Sequence, residues 1–218
     1  MKSRFRHRLE AGTLLAGKLA GYVRQPNIVV LALPRGGVPV GHAVAQFLQA
    51  PLDVLVVRKL GVPGHEELAM GAIASGGIRV LNSDLIASLG LGEDVISRVA
   101  AREQQELTRR EQAYRGERPS APVKGRTAIL VDDGIATGAT VRAAITALRQ
   151  RGAGRIVVAA PTIAADTYAK LRREADEVVA VIVPDEFYGV GEWYEDFSQT
   201  TDEEVQRLLE STAPTGST

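Results

Sequence analysis

Two adjacent carboxylates, Asp132 and Asp133, end a short apolar run, Ile129-Leu130-Val131, and precede a turn of small residues over 134–139. Val141, Ile145 and Leu148 then recur at helical spacing. The stretch ILVDDGIATGATV therefore predicts a buried parallel strand, a tight turn and a helix start. Unpaired N–H groups and the positive dipole end at such a start suit an anion, and small residues let it come close. Thr137 and Thr140 add hydroxyl donors. A phosphate pocket does not want two carboxylates beside it, so Asp132 and Asp133 must serve sugar hydroxyls or a divalent cation. A phosphorylated sugar satisfies both halves, at the strand end where open α/β sheets bind ligands. Two other phosphate loops fail: 134–140 lacks the Lys-Ser/Thr ending of a P-loop, and Gly134 with Gly138 does not make GxGxxG.

A second loop follows the apolar run 28–33. Pro34-Arg35-Gly36-Gly37 sets two glycines behind a cation, so that backbone N–H groups and one guanidinium can converge on an anion. Arg58-Lys59 stands at the end of the strand expected over 53–57, where a parallel sheet would bring it to the same pocket. The glycine-rich connection 60–67, carrying His65, Glu66 and Glu67, reads as mobile. His65-Glu66-Glu67 does not begin a zinc-protease motif, because Ala69 stands where HExxH needs its second histidine.

The run VDDGIATGAT closely resembles the phosphoribosyl-pyrophosphate (PRPP) signature of the type I phosphoribosyltransferases. The resemblance implies that Asp132 and Asp133 hold the ribose hydroxyls, with Mg²⁺ bound there directly or through ribose and water. It implies that Ala136, Thr137, Gly138, Ala139 and Thr140 wrap the 5′-phosphate, and that 60–67 is a lid closing over the reacting centre, where water would otherwise trap an oxocarbenium-like state. LPRGGVP is similar to the family's pyrophosphate loop, with Arg35, Gly36 and Gly37 as matching positions, and implies a non-proline cis peptide between Pro34 and Arg35. Arg35, Arg58 and Lys59 then become catalytic candidates that stabilise the leaving pyrophosphate. PDEFYGVG is similar to the PD-x-F segment of the purine-using branch, whose aromatic stacks on the acceptor base; Phe187 matches it and Trp193 is a further candidate. Hypoxanthine and guanine enzymes carry an Asp at the place of Ala136 and a Lys near Pro161-Thr162, so the resemblance does not extend to a 6-oxopurine acceptor. It implies a Mg²⁺-dependent homodimer that transfers ribose 5-phosphate from PRPP to a nitrogenous, nucleobase-like acceptor. A PRPP- or nucleotide-binding regulator without turnover, or a sugar-phosphate hydrolase, would use the same pocket.

The 218 residues are 45 % hydrophobic and 24 % charged, with 26 basic side chains against 26 acidic. That balance offers no basic excess to nucleic acid or an anionic membrane, and the length suits one domain with a small appendage. The absence of cysteine removes disulfides, thiolate nucleophiles and cysteine-held metals, and agrees with a reducing cytoplasm. Basic Lys2, Arg4, Arg6 and Arg8 are not followed by an apolar h-region. No window approaches the roughly 18 apolar residues of a membrane span.

The elements expected to hold these groups alternate. An amphipathic helix is expected over 4–24, with Leu9, Ala16, Leu19 and Val23 inward and its arginines solvated. Strands at 28–33, 53–57, 129–131, 156–160 and 177–183 interleave with helices, among them one with Val40, Val44, Phe47 and Leu48 inward. This order predicts an α/β fold with a doubly wound parallel sheet, like that of the type I phosphoribosyltransferases. The core would be 1–183, interrupted at about 82–125 by a peripheral helical insertion. Its long helix, 93–115, carries the i,i+4 pairs Glu106/Arg110 and Glu111/Arg115. Ile96, Val99, Leu107 and Tyr114 form a narrow stripe suited to a subunit contact. A hood segment and C-terminal helix follow over 184–210, with Phe187, Tyr188, Trp193, Tyr194 and Phe197 clustered. The tail 211–218 is expected to be disordered.

Overall fold

The computed structural model describes residues 4–212 apart from the side chain of Glu67. Five parallel strands form the central sheet in the order β2-β1-β6-β7-β8: β1 Ile28–Ala32, β2 Leu52–Val54, β6 Thr127–Val131, β7 Arg155–Thr162 and β8 Glu177–Ile182. All five residues of β1 are buried, as a strand covered on both faces requires. Val29, Leu31, Leu130 and Val158 face α5 (Ala139–Gln150) and α6 (Ala165–Leu171). The alternate residues Val30, Ile129, Val131 and Val157 face α1 (Arg8–Lys18) and α2 (Gly37–Leu48). The sheet is thus doubly wound, as expected. Register sets Ala32 beside Val131 and Val131 beside Ala159, so the loops after β1, β6 and β7 leave the same edge together.

Several expected details differ. The strand expected over 53–57 is two strands of two sheets: β2 ends at Val54, and β3 (Val57–Val62) pairs antiparallel with β4 (His65–Ala74), which pairs with β5 (Ile78–Leu81). The connection read as a lid over 60–67 is therefore mostly paired strand. His65 pairs with Val62, and Gly64 takes a left-handed φ of 79° at the turn. In α1 the inward face is Ala11, Gly12, Leu15 and Ala16, whereas Leu9 and Val23 are exposed, as is Phe47 of α2. Gly12 selects that phase: a Cβ there would lie 2.8 Å from the Val40 carbonyl oxygen, so α1 and α2 pack at a distance only glycine permits.

The insertion comprises α3 (Ser83–Ser88) and α4 (Glu93–Arg115), and both expected i,i+4 pairs form, at 2.7 Å each. The narrow stripe of α4 is not left for a subunit contact. Ile96, Val99, Leu107 and Tyr114 are buried against Val56, Leu60 and Met70 of the small sheet's side and against Val205 and Leu209 of α7 (Asp202–Ser211). Thr201 caps α7, accepting from the Glu204 N–H at 3.1 Å. The helix runs through Ser211, inside the span read as tail; residues 213–218 lie outside the described residues. No helix among the described residues is long and apolar enough to cross a membrane.

Candidate functional site

The ladder between β1 and β6 continues one step past the strands, with the Leu33 N–H donating to the Val131 carbonyl at 2.8 Å. That bond brings the next residues of each chain side by side. The peptide between Pro34 and Arg35 is cis, as expected. A Cβ on Gly36 would fall on the Asp133 carboxylate, and one on Gly37 would lie 2.8 Å from the Val131 carbonyl oxygen and 3.0 Å from the Asp132 Cα. Gly36 has φ −58°, which any residue adopts. Its lack of a side chain serves close approach: the Arg35-Gly36-Gly37 loop lies directly on the two acids.

Asp132 Oδ1 accepts from the Asp133 N–H at 2.9 Å. Burial, and then the charge of Asp133, push the Asp132 carboxyl well above the ordinary aspartate range. The following turn is pinned at both ends. Ile135 N–H donates to the Thr162 carbonyl at 2.9 Å, and the Thr167 hydroxyl donates to the Ala136 carbonyl at 2.5 Å. Gly138 enters α5 with φ 74°, and a Cβ there would meet the Thr167 methyl at 2.8 Å, so glycine is required on both counts. No side chain caps this helix start, while Ala136, Thr137, Ala139 and Thr140 are exposed around it. The first-turn N–H groups of α5 face an anion-sized turn beside two acids.

Three cations were expected here, and they separate. Arg35 leaves the loop with its Nη1 3.5 Å from Asp202 Oδ1 of α7. Arg58 does not point at the acids: as part of β3 it donates through Nε to Glu103 Oε2 of α4 at 2.9 Å. The early end of β2 causes this, since Arg58 belongs to the antiparallel sheet instead of the parallel edge. Lys59 lines a cleft of about 310 Å³ between that sheet and α5, opposite Thr140 and Arg142. Two expected phosphate-loop residues, Ala139 and Thr140, and one expected pyrophosphate cation thus share a cavity. His65 and Glu66 are exposed at the hairpin turn, where the Gly64 N–H donates to Glu66 Oε1 at 3.2 Å.

The hood aromatics form a small core. Trp193 is 4 % exposed among Phe5, Ala11 and Tyr194, so it fills the hood and presents no open face to an acceptor. Phe187 packs on it with ring centroids 6.2 Å apart and stays partly exposed, so of the two expected acceptor contacts it alone remains. Tyr194 donates its hydroxyl to the Asp133 carbonyl at 2.6 Å. Burial, and then the Asp133 charge, push that phenol up, which keeps it a donor.

One site residue was missed outright. Arg8, read as part of a solvated face, is part-buried with its Nε 2.8 Å from Asp133 Oδ2. It lies 125 positions away in sequence, and nothing in its neighbourhood signals the contact. The Phe5 to Tyr194 bridge, which turns the N-terminus onto the hood, creates it. For a metal, the described residues contain no group of three His, Cys, Asp or Glu side chains. Asp132 and Asp133 fit a Mg²⁺ that arrives with a phosphorylated substrate and keeps part of its water, since that ion needs only one or two carboxylates from the protein.

A family model described as a phosphoribosyl transferase domain matches residues 6–196. Two Mycobacterium tuberculosis proteins, from strains H37Rv and CDC 1551, are provisionally assigned as phosphoribosyl transferases. Each is 48 % identical to the chain over 206 residues, covering 94 % of it and 46 % of its own length. The chain thus spans about half the length of these relatives. A crystal structure from Thermus thermophilus is 44 % identical, covers 96 % of this chain and 99 % of that one, and superposes with a TM-score of 0.86.

Proposed function

The chain belongs to the phosphoribosyl transferase domain family, and from that premise we propose that it transfers ribose 5-phosphate from Mg²⁺-bound PRPP to a nitrogen of a nucleobase-like acceptor. The bond from the anomeric carbon to the pyrophosphate oxygen breaks, its electron pair leaves with pyrophosphate, the acceptor nitrogen bonds to that carbon, and the nitrogen's proton is released. The observation that carries this reading is the contact of the two loops. Gly36 lies against the Asp133 carboxylate, and Asp133 opens the turn that leads to the uncapped start of α5. A leaving-group loop, a pair of diol acceptors and a phosphate cradle are thereby within one ligand's length.

In this reading Asp132 and Asp133 orient the ribose, and Ala136, Thr137, Gly138, Ala139 and Thr140 hold the 5′-phosphate. Gly36 and Gly37 offer backbone to the pyrophosphate, with Arg35 and Lys59 as its cations. Mg²⁺ neutralises and templates the leaving pyrophosphate. The residues of this chain contribute positioning and fixed charge. Phe187 is the acceptor contact. The protein acts in the cytoplasm as a homodimer. One observation favours a regulator that binds PRPP without turnover: Arg58, expected at the leaving group from its place at a strand end, is engaged by Glu103 instead.

Calorimetry with PRPP and Mg²⁺, followed by pyrophosphate release over purine, pyrimidine and small amine acceptors, tests the reading. Binding with acceptor-dependent release, lost in Asp132→Asn/Asp133→Asn, is the expected result. Binding without release for any acceptor supports the regulator, release without acceptor supports hydrolysis, and no binding overturns all three.

A further inference from the structure

Arg8 places a guanidinium directly on the acid pair, and nothing in the loop motifs accounts for it. Its Nε donates to Asp133 Oδ2 at 2.8 Å, its Nη1 donates to the Ser198 carbonyl at 2.6 Å, and its guanidinium lies 4.0 Å above the Phe197 ring centroid. The side chains of Arg8 and Asp133 are 11 % and 13 % exposed, so the pair is shielded from salt and solvent. A Cβ on Gly36 would fall on the same Oδ2 and 3.2 Å from Arg8 Nε. Oδ2 is therefore enclosed between the pyrophosphate loop and Arg8, which leaves Oδ1 as the oxygen able to accept from a sugar hydroxyl.

Attachment of the hood does not explain this geometry. Phe5 N–H donates to the Trp193 carbonyl at 2.8 Å, Glu195 N–H to the Phe5 carbonyl at 2.8 Å, and Asp196 N–H to the Arg6 carbonyl at 2.9 Å. The Tyr194 hydroxyl already ties the hood to the Asp133 backbone. Those bonds hold the two segments together without a guanidinium, and the one feature they cannot supply is a positive charge on the Asp133 carboxylate. Two neighbouring carboxylates repel, and a guanidinium hydrogen-bonded to one oxygen of the pair both lowers that cost and fixes which way that oxygen faces.

We infer that Arg8 is a positioning residue for sugar recognition: it holds the Asp133 carboxylate by Oδ2 and turns it so that Oδ1 receives the ribose diol of the substrate. This rests on the PRPP reading above. It predicts a ligand-selective effect, because only ligands that carry the ribose hydroxyls depend on Asp133, whereas free pyrophosphate meets the 34–37 loop.

The test measures binding of PRPP with Mg²⁺, ribose 5-phosphate, and metal-free pyrophosphate to the wild-type chain, Arg8→Met and Arg8→Lys, with thermal melts of each. Methionine keeps an apolar stem over Phe197 and loses the charge. Arg8→Met is expected to weaken PRPP and ribose 5-phosphate about tenfold or more and to change pyrophosphate by less than about twofold, as loss of a charge-assisted bond to one acceptor group should. Arg8→Lys, which returns the positive charge without the guanidinium plane over Phe197, is expected to recover part of the lost ribose-ligand binding and again to leave pyrophosphate unchanged. If Arg8→Met does not fold, Arg8→Gln replaces it, keeping an amide donor without charge. Equal loss for all three ligands makes Arg8 a merely structural clamp and overturns the inference. Wild-type affinity for PRPP in the folded uncharged variant overturns it too. Failure of the wild-type chain to bind PRPP instead removes the reading on which it rests.

Discussion

At the scale of single residues, the acid pair combines an electrostatic cost with a spatial constraint. Asp132 has its carboxyl raised by burial and by Asp133, so the folded chain holds that proton more tightly than the unfolded one. Such a group's contribution to stability is full below the unfolded pKa and is lost as pH rises through the folded pKa. Asp132→Asn keeps the oxygen that accepts from the Asp133 N–H and removes the charge. It should therefore melt higher than wild type at neutral pH, by about 2–4 °C for each kcal/mol relieved, and the gap should close as the solution is acidified. PRPP affinity should fall in the same variant; a melt at neutral pH that matches wild type would show that the acid costs the fold nothing. The spatial constraint is tested by Gly36→Ala. Its φ of −58° suits alanine, so the fold should survive, while the new methyl must displace the Asp133 carboxylate. A loss of PRPP affinity of about tenfold, typical of one charge-assisted contact, with the melting temperature nearly unchanged, is expected by calorimetry and differential scanning.

At the scale of elements, what was legible followed from periodicity, and what was not followed from contacts between distant segments. The runs at 28–33 and 129–131 are buried on both faces, so their strand character and the acids at the end of β6 were readable directly. The glycine pair was readable as an anion loop from its residues, whereas the cis peptide was readable only because LPRGG resembles a known loop. The continuous apolar run over 54–57 hid a change of sheet. Leu55 N–H still donates to Ala32 of the parallel sheet at 2.9 Å, but Val56 N–H turns to Ser75 Oγ at 2.9 Å, and hydropathy does not record which partner a backbone takes. That change moved Arg58 away from the acids. Ala16, Leu19, Val40, Val44 and Leu48 are buried as expected, but Leu9, Val23 and Phe47 are apolar yet outward, while the close contact runs through Gly12, a residue hydropathy ignores. Two glycines of α1 should accordingly behave oppositely. Gly17→Ala meets nothing within 4 Å and should stabilise by about 0.5–1 kcal/mol through helix propensity. Gly12→Ala places a methyl 2.8 Å from Val40 O and 2.9 Å from Ala43 Cβ, and should destabilise by about 1–3 kcal/mol through overpacking. Denaturant melts that shift both variants the same way would remove the close-packing account of α1 and α2.

At the scale of the whole molecule, the insertion that looked peripheral is part of the frame that holds the site together. Tyr114 of α4 is buried in the apolar cluster it shares with α7, whose Asp202 is the partner of Arg35, so α4 supports the loop that meets the acids. Its last turn is fastened by charge. Arg115 donates through Nε to Asp53 Oδ1 at 2.7 Å, through Nη1 to Glu111 at 2.7 Å, and through Nη2 to the Val54 carbonyl. Asp53 Oδ2 accepts in turn from the Ala121 N–H at 2.8 Å. The sheet edge at β2, the end of α4 and the connection toward β6 therefore meet on one buried ion pair, with side chains 8 % and 10 % exposed. A charge pair at this depth adds little to stability over an apolar pair, yet losing one partner leaves the other unsatisfied. Arg115→Met should therefore cost about 3–5 kcal/mol and lower the melting temperature by roughly 2–4 °C for each of these. Asp53→Asn/Arg115→Met should recover part of that loss, because the amide still accepts from Ala121 and no longer carries a charge. Thermal melts of the two single variants and the double variant decide it. If the losses simply add, the pair is two independent surface-like charges, and α4 is held to the sheet by its apolar stripe alone.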